Sequence, residues 1–206
     1  MTIAIIDYGM GNVRSLMNAF EYIGEEATVT ADFDELEAAD RLVLPGVGAF
    51  GDAMKSIESK GLRPVLDRLA LELRKPVLGV CLGMQLFARR SYEHGIHEGL
   101  GWLDAEIMPM TPPPPAKVPH VGWNSVSFAS DEWLFNGLPS GESDYYFVHS
   151  YQMVCNDPAD LIGTTDHGYP VTAAVRRGNL VATQFHPEKS QDNGLQLLQN
   201  WLAHEF

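Results

Sequence analysis

Residues 76–83 read Pro-Val-Leu-Gly-Val-Cys-Leu-Gly, and the expected fold follows from this stretch. The apolar run Pro76 to Val80 predicts a strand buried on both faces. It leads directly into Cys81, and Leu82 to Ser91 reads as the helix that leaves it. Glycines stand two residues before and two residues after the thiol. This spacing is typical of a nucleophile elbow, because residues without a Cβ permit the sharp turn and the close approach of neighbouring chain.

The chain before this junction alternates between predicted strands and helices. The strands are Thr2 to Asp7, Ala27 to Thr30 and Arg41 to Leu44; the helices are one capped by Asn12 and ending near Gly24, one over Asp34 to Ala39 and one over Leu62 to Leu73. Such alternation predicts a parallel, doubly wound sheet.

Beyond Trp102 the pattern becomes richer in strands. They are predicted at Glu106 to Met110, Val121 to Phe128, Tyr145 to Val154, Leu161 to Thr165, Val171 to Arg176 and Leu180 to Phe185, with a hairpin connection at residues 177–179 and a closing helix around Leu195 to Leu202. The expected fold is therefore α/β: one domain over residues 1–206, with a mixed, mainly parallel sheet flanked by helices and a strand-rich second half.

Composition excludes several classes of protein. The chain has 206 residues, 45% of them hydrophobic and 20% charged, as a globular domain should. A formal net charge of -13 with no basic run disfavours nucleic acid and anionic membranes as partners. We find no membrane span or targeting segment and expect a soluble cytoplasmic protein. Two isolated cysteines are too few for a disulfide framework or a four-ligand zinc site, and no metal or cofactor is expected.

Cys81 is the candidate nucleophile. Because a helix is predicted to begin there, its unpaired N–H groups and its dipole favour the thiolate. The alternative is that Cys81 is a small buried apolar residue, as many cysteines at strand ends are. Cys155 has no comparable context, and we expect it to be structural.

His186-Pro187-Glu188 follows the last predicted strand and supplies the other parts of an acyl-transfer site. His186 can act as the base, and Glu188, two residues on, can orient it and stabilise its charge. The sequence does not prove that His186 approaches Cys81, since six other histidines compete.

An oxyanion site is predicted where the turn Pro45-Gly46-Val47-Gly48 leaves the Arg41 to Leu44 strand. Backbone N–H groups at Val47, Gly48 and Leu82 are the candidate donors, because both segments follow the carboxyl ends of strands. The alternative is an ordinary tight turn.

Two motifs, residues 79–85 (Gly-Val-Cys-Leu-Gly-Met-Gln) and residues 184–188 (Gln-Phe-His-Pro-Glu), resemble the defining motifs of class I glutamine amidotransferases. Further stretches are similar to the glutaminase subunits of imidazole glycerol phosphate synthases: residues 7–12, 44–50, 117–124 and 146–151. The resemblance spans essentially the whole chain. It implies that glutamine is hydrolysed through a Cys81 thioester, and that a peptide near Val47 must reorient.

The resemblance also implies residue roles. Contacts to glutamine are expected from Gly48, Gln85, Glu93, His149, Ser150 and Tyr151, and contacts to a partner protein from Asn12, Trp123, Asn124 and Lys189. We place Glu93 on the helix after Cys81, where its carboxylate could bind the substrate ammonium; otherwise it is a solvated charge at a helix end. Trp123 could instead be a core aromatic.

The partner that the resemblance implies is a barrel-shaped cyclase subunit. It would combine ammonia with a nucleotide to give imidazole glycerol phosphate and an aminoimidazole carboxamide ribonucleotide in histidine biosynthesis. Three alternatives stay open: an amidotransferase for anthranilate, aminodeoxychorismate or guanylate synthesis; a free cysteine hydrolase of γ-glutamyl peptides; and a regulatory subunit without chemistry.

Overall fold

The computed structural model describes residues 1–139 and 141–206. Within those residues, thirteen strands form two sheets. The strands are β1 (Ile3–Ile6), β2 (Ala27–Thr30), β3 (Arg41–Leu44), β4 (Val77–Val80), β5 (Arg90–Ser91), β6 (His97–Glu98), β7 (Ala105–Pro109), β8 (His120–Phe128), β9 (Glu142–His149), β10 (Tyr151–Cys155), β11 (Leu161–Asp166), β12 (Pro170–Arg177) and β13 (Leu180–Thr183).

The larger sheet has the order β2-β1-β3-β4-β13-β12-β11-β8-β9. Neighbours from β2 to β13 are parallel, and those from β13 to β9 are antiparallel. The smaller sheet has the order β10-β7-β5-β6. The predicted mixed sheet with a strand-rich second half is confirmed. It is not mainly parallel as predicted, because the strands of the second half join it in antiparallel pairs.

Helices cover both faces of the larger sheet. They are α1 (Val13–Tyr22), α2 (Phe33–Ala38), α3 (Phe50–Ser59), α4 (Leu62–Asp67), α5 (Leu82–Leu86) and α6 (Gln191–Ala203), with a π-helical turn at Arg68–Glu72 that continues α4. The predicted helix over Leu62 to Leu73 is thus α4 plus this turn. Helix α3 was not predicted.

The hydrophobic core has two layers because successive strand residues point to opposite faces of the sheet. Ile3 and Ile5 pack in a layer with α1 and α6. Ala4 and Ile6 pack in the other layer, with α2 to α5 and the smaller sheet. Every residue of β1, β3, β4 and β13 is buried, which explains why these strands are apolar apart from the terminal residues Arg41 and Thr183.

The predicted helix from Leu82 to Ser91 is wrong beyond Leu86. The carbonyls of Leu86 and Phe87 accept hydrogen bonds from Leu100 (2.9 Å) and Leu103 (2.9 Å), instead of continuing the helix. The chain then enters β5. Tertiary hydrogen bonds, which leave no local signature in the sequence, end this helix.

The predicted single strand from Tyr145 to Val154 is two strands in different sheets. It divides at Ser150, whose carbonyl accepts a hydrogen bond from Met110 N at 3.0 Å.

Asn12 precedes α1 as predicted, but its side chain makes no capping hydrogen bond. Among the described residues, no helix has the length and apolarity needed to cross a membrane.

Candidate active site

Cys81 lies at the elbow between β4 and α5. Its backbone has φ +55° and ψ -109°, a conformation that L residues rarely adopt and that typically marks a functional turn. The Cys81 N–H donates to the Thr183 carbonyl at 2.8 Å, which ties the elbow to β13. A Cβ on Gly83 would lie 1.8 Å from the Leu44 carbonyl oxygen, so only glycine fits there.

His186 lines the same cavity as Cys81 because β13 is the parallel neighbour of β4. The backbone N–H of His186 donates to the Tyr146 carbonyl at 2.9 Å, which fixes the backbone beyond the end of β13. His186 Nδ1 lies 2.8 Å from Glu188 Oε1, and both side chains are almost completely buried. The predicted contact between the imidazole and the carboxylate is therefore present.

The electrostatics of His186 favour its protonated form. Burial opposes the charge, but the neighbouring Cys81 and the carboxylate of Glu188 outweigh it and raise the pKa of His186 to about 9. His186 Nε2 has no hydrogen-bond partner among the described residues, so it approaches Cys81 more loosely than a hydrogen bond requires. Such looseness is common in active sites without substrate.

The three predicted oxyanion donors lie around the same space. Val47 is exposed, Gly48 has φ +101°, and Leu82 is the first residue of α5, where helix N–H groups lack intrahelical partners. Tyr8 holds the turn at residues 45–48 in place, because its hydroxyl donates to the Pro45 carbonyl at 2.8 Å.

A cavity of about 580 Å³ brings most of the predicted residues together. Its lining includes Val47, Gly48, Cys81, Leu82, Gln85, Glu93, His149, Ser150, Tyr151 and His186. A second cavity, of about 520 Å³, lies between β8, β11 and Arg176, and its described lining contains neither a thiol nor an imidazole. The first cavity is therefore the candidate active site.

Gln85 and Glu93 are both held in place by hydrogen bonds. Gln85 Nε2 donates to Gln184 Oε1 (3.0 Å) and to the Tyr151 carbonyl (3.2 Å), and Gln184 Nε2 lies 3.8 Å from Cys81 Sγ. Glu93 lies after β5 and not on the helix after Cys81, which corrects the prediction of its place. Its carboxylate accepts the Phe50 N–H at 2.7 Å, so α3 positions it at the cavity.

The four predicted partner contacts occupy different environments. Trp123 is 49% exposed, which excludes the core alternative, and its ring meets Tyr146 edge-on. Lys189 Nζ lies 6.0 Å from the Tyr146 ring centroid. Asn12 lines a narrow space beside His186 and Glu188. The Asn124 amide, by contrast, bonds to His120 and to the Asp166 carbonyl within the chain.

Sequence reasoning missed Tyr8, His120 and Gln184 as parts of the site. All three fall within the stretches that carry the family resemblance, but nothing in their local pattern indicates buried hydrogen bonds. Cys155 is half-buried, and burial together with nearby Asp160 raises its pKa to about 11, as suits a structural thiol.

A profile of the family described as "Glutamine amidotransferase class-I" matches residues 4–204. The chain therefore belongs to the class I glutamine amidotransferase family. Solved structures agree on the fold: PurLQS from Thermotoga maritima superposes with a TM-score of 0.75 at 19% identity, covering 98% of this chain and 97% of that one. A putative GMP synthase protein from Thermoplasma acidophilum gives 0.72 at 24% identity, covering 98% and 92%.

Within that family, full-length similarity is to proteins named imidazole glycerol phosphate synthase subunit HisH. The chain is 47% identical to HisH 2 of Nitrobacter winogradskyi, over 97% of each chain. It is 48% identical to HisH of Rhodopirellula baltica, over 97% of this chain and 96% of the relative. HisH of Aquifex aeolicus is 47% identical, over 98% and 96%.

Proposed function

We propose that this chain is the glutaminase subunit of an imidazole glycerol phosphate synthase, and that it delivers ammonia to a barrel-shaped cyclase subunit. The observation that carries the chemistry is that Cys81 and His186 line one cavity, while Glu188 Oε1 lies 2.8 Å from His186 Nδ1 on the side away from it. The similarity to HisH proteins supports the choice of reaction within the family. Both cysteines are free, and a nucleophilic thiol persists best in a reducing compartment, so we propose the cytoplasm as its place of action.

In the first half of the reaction, the Cys81 thiolate attacks the carbon of the glutamine side-chain amide. A protonated His186 beside Cys81 can give its proton to the leaving ammonia. N–H groups of Val47, Gly48 and Leu82 stabilise the oxyanion of the tetrahedral intermediate. The C–N bond breaks, ammonia leaves with the proton from His186, and a γ-glutamyl thioester remains on Cys81.

In the second half, neutral His186 removes a proton from water as the water attacks the thioester carbon. The C–S bond breaks, glutamate leaves, and the pair of Cys81 thiolate and protonated His186 is restored. Glu188 keeps the imidazole oriented through both halves. Gln85, Glu93 and the backbone of Ser150 and Tyr151 hold the substrate, with the Glu93 carboxylate facing its ammonium group.

An exposed apolar surface beside the cavity supports the proposal that the chain binds a cyclase subunit. Val121, Trp123 and Val148 lie on one face of the β8–β9 pair, and each is at least 39% exposed. Exposed aromatic and aliphatic groups of this kind are typical of protein interfaces. A free hydrolase of γ-glutamyl peptides has no need of such a surface.

The chemistry can be tested by trapping Cys81. An electrophilic analogue of glutamine, with a leaving group at the position of the amide, should alkylate one site, which mass spectrometry of peptides would locate. We expect labelling of Cys81 in the complex with the cyclase subunit, prevention by excess glutamine, and no labelling of the Cys81→Ala variant. Cys155 provides an internal control thiol. Labelling of Cys155 alone would contradict the proposal.

A further inference from the structure

A continuous line of hydrogen bonds links β8 to the wall of the cavity. Asn124 Nδ2 lies 3.1 Å from His120 Nε2. His120 Nδ1 lies 3.0 Å from Nε2 of His149, its cross-strand neighbour on β9. His149 Nδ1 lies 2.9 Å from the Tyr151 carbonyl oxygen. The line therefore joins a partly exposed amide to a carbonyl at the cavity.

The hydrogen bonds of this line have only one consistent direction. A carbonyl can only accept, so His149 Nδ1 carries a proton. Burial lowers the pKa of His149 to about 4 and that of His120 to about 3, so each ring is neutral and bears one N–H. His149 Nε2 then accepts from His120 Nδ1, and His120 Nε2 accepts from the Asn124 amide. Both rings are Nδ1–H tautomers.

Packing keeps the His120 ring in this orientation. The ring stacks between Phe147 (centroid distance 4.6 Å) and His167 (4.1 Å) and is only 4% exposed. The Asn124 amide is oriented independently, because Nδ2 donates to the Asp166 carbonyl at 2.8 Å and Oδ1 accepts the Ser125 N–H at 2.9 Å. A buried polar network with each member paired is rigid, whereas a partly paired one is costly.

The end of the line lies where the chain crosses between sheets. The chain leaves β9 after His149 and enters β10 at Tyr151. The Tyr151 carbonyl accepts hydrogen bonds from His149 and from Gln85, which also line the cavity. Without the donor on His120, His149 Nε2 would be buried and unpaired, and its ring would be free to adopt the other tautomer. The Tyr151 carbonyl would then lose one of its two donors.

We propose that His120 is a positioning residue for glutamine binding, because its N–H sets the tautomer of His149 and thereby holds the Ser150–Tyr151 crossing in the geometry that binds substrate. The proposal rests on the proposed function only in taking glutamine as the molecule bound there. Since His120 touches neither Cys81 nor His186 in this line of contacts, its loss should affect binding more than chemistry.

Two variants separate the N–H from the shape of the ring. His120→Phe keeps an aromatic ring between Phe147 and His167 but removes the donor, while His120→Asn keeps a donor near the position of Nδ1. In the complex with the cyclase subunit, at saturating nucleotide, we expect His120→Phe to raise KM for glutamine about tenfold with kcat within about twofold. We expect His120→Asn to recover most of that loss. An unchanged KM, a fall confined to kcat, or equal defects in the two variants would overturn the proposal.

A measurement on the unaltered chain guards against a variant that fails to fold. Long-range ¹H–¹⁵N NMR spectra report which ring nitrogen of each histidine carries the proton. We expect Nδ1–H for both His120 and His149 at neutral pH, with conversion of His149 to a mixture or to Nε2–H in His120→Phe. Nε2–H on His149 in the unaltered protein would overturn the proposal. This result does not depend on glutamine hydrolysis, whose absence in the unaltered complex would instead contradict the proposed function.

Discussion

At the residue scale, Cys81 and Glu188 together keep His186 protonated against the cost of its burial. Glu188→Gln keeps the shape of the side chain but removes the charge that stabilises protonated His186. We expect kcat of the complex to fall by about 10² to 10⁴ with a smaller change in KM, and the pKa of His186 to drop below its value near 9. Steady-state kinetics and NMR titration of His186 would measure both, with the exposed Glu142→Gln as control.

The raised pKa of His186 makes stability depend on pH, and Glu188 supplies part of that rise. The pKa of His186 is raised from 6.5 to about 9 on folding, so its contribution is fully present below pH 6.5 and is lost as pH rises towards 9. At about 1.36 kcal/mol per pKa unit, this contribution to the free energy of unfolding is roughly 3 kcal/mol. Urea unfolding should therefore show an advantage of the unaltered chain over Glu188→Gln that shrinks from pH 6.5 to 9. An advantage that grows over this range would contradict the assignment.

At the element scale, buried parallel strands were predictable because both faces of each need apolar side chains. Helix α3 could also have been found, since Phe50, Ala53, Met54 and Ile57 are buried at helical spacing. The end of α5 and the division between β9 and β10 could not, because contacts from Leu100, Leu103 and Met110 determine them. The catalytic motifs are local in sequence and could therefore be recognised from it. The line of hydrogen bonds through His120 could not, because it exists only when β8 and β9 are paired.

The docking of α5 on β3 predicts a severe effect of Gly83→Ala. The added Cβ would lie 1.8 Å from a backbone oxygen of Leu44, which cannot move without shifting the strand. We expect a loss of about 3 kcal/mol or more in the free energy of unfolding, measured in urea. Gly163→Ala is a matched control, because the three atoms nearest to its added Cβ all belong to side chains and lie 3.1 Å or more away. Equal losses in the two variants would count against this account of the elbow.

The oxyanion turn predicts a gain of activity. If the peptide near Val47 must reorient to point an N–H at the oxyanion, a residue without Cβ lowers the cost of that change. Val47→Gly should then raise glutamine turnover by the isolated chain several-fold, while turnover in the activated complex changes little. Glutamate release without the cyclase subunit is the measurement, and unchanged basal turnover would contradict the reorientation.

At the scale of the whole molecule, the exposed face of β8 and β9 predicts where the cyclase subunit binds. Trp123→Ala should weaken binding by about 2 kcal/mol, or roughly 30-fold in Kd, as the loss of a buried interface tryptophan typically does. Tyr22→Ala removes a 78% exposed aromatic at the far end of α1 and should leave Kd unchanged. Titration calorimetry would measure the Kd of each variant for the cyclase subunit. Equal Kd values for the two variants would exclude the β8–β9 face as the binding surface.

The most direct test of the account is glutamate release from glutamine by the purified chain, alone and with the cyclase subunit plus its nucleotide ligand. We expect weak activity alone, strong activation in the complete complex, and no activity in either state for Cys81→Ala. Full activity of the isolated chain would contradict the account and indicate a free hydrolase. Activity that survives Cys81→Ala would show that the elbow thiol is not the nucleophile.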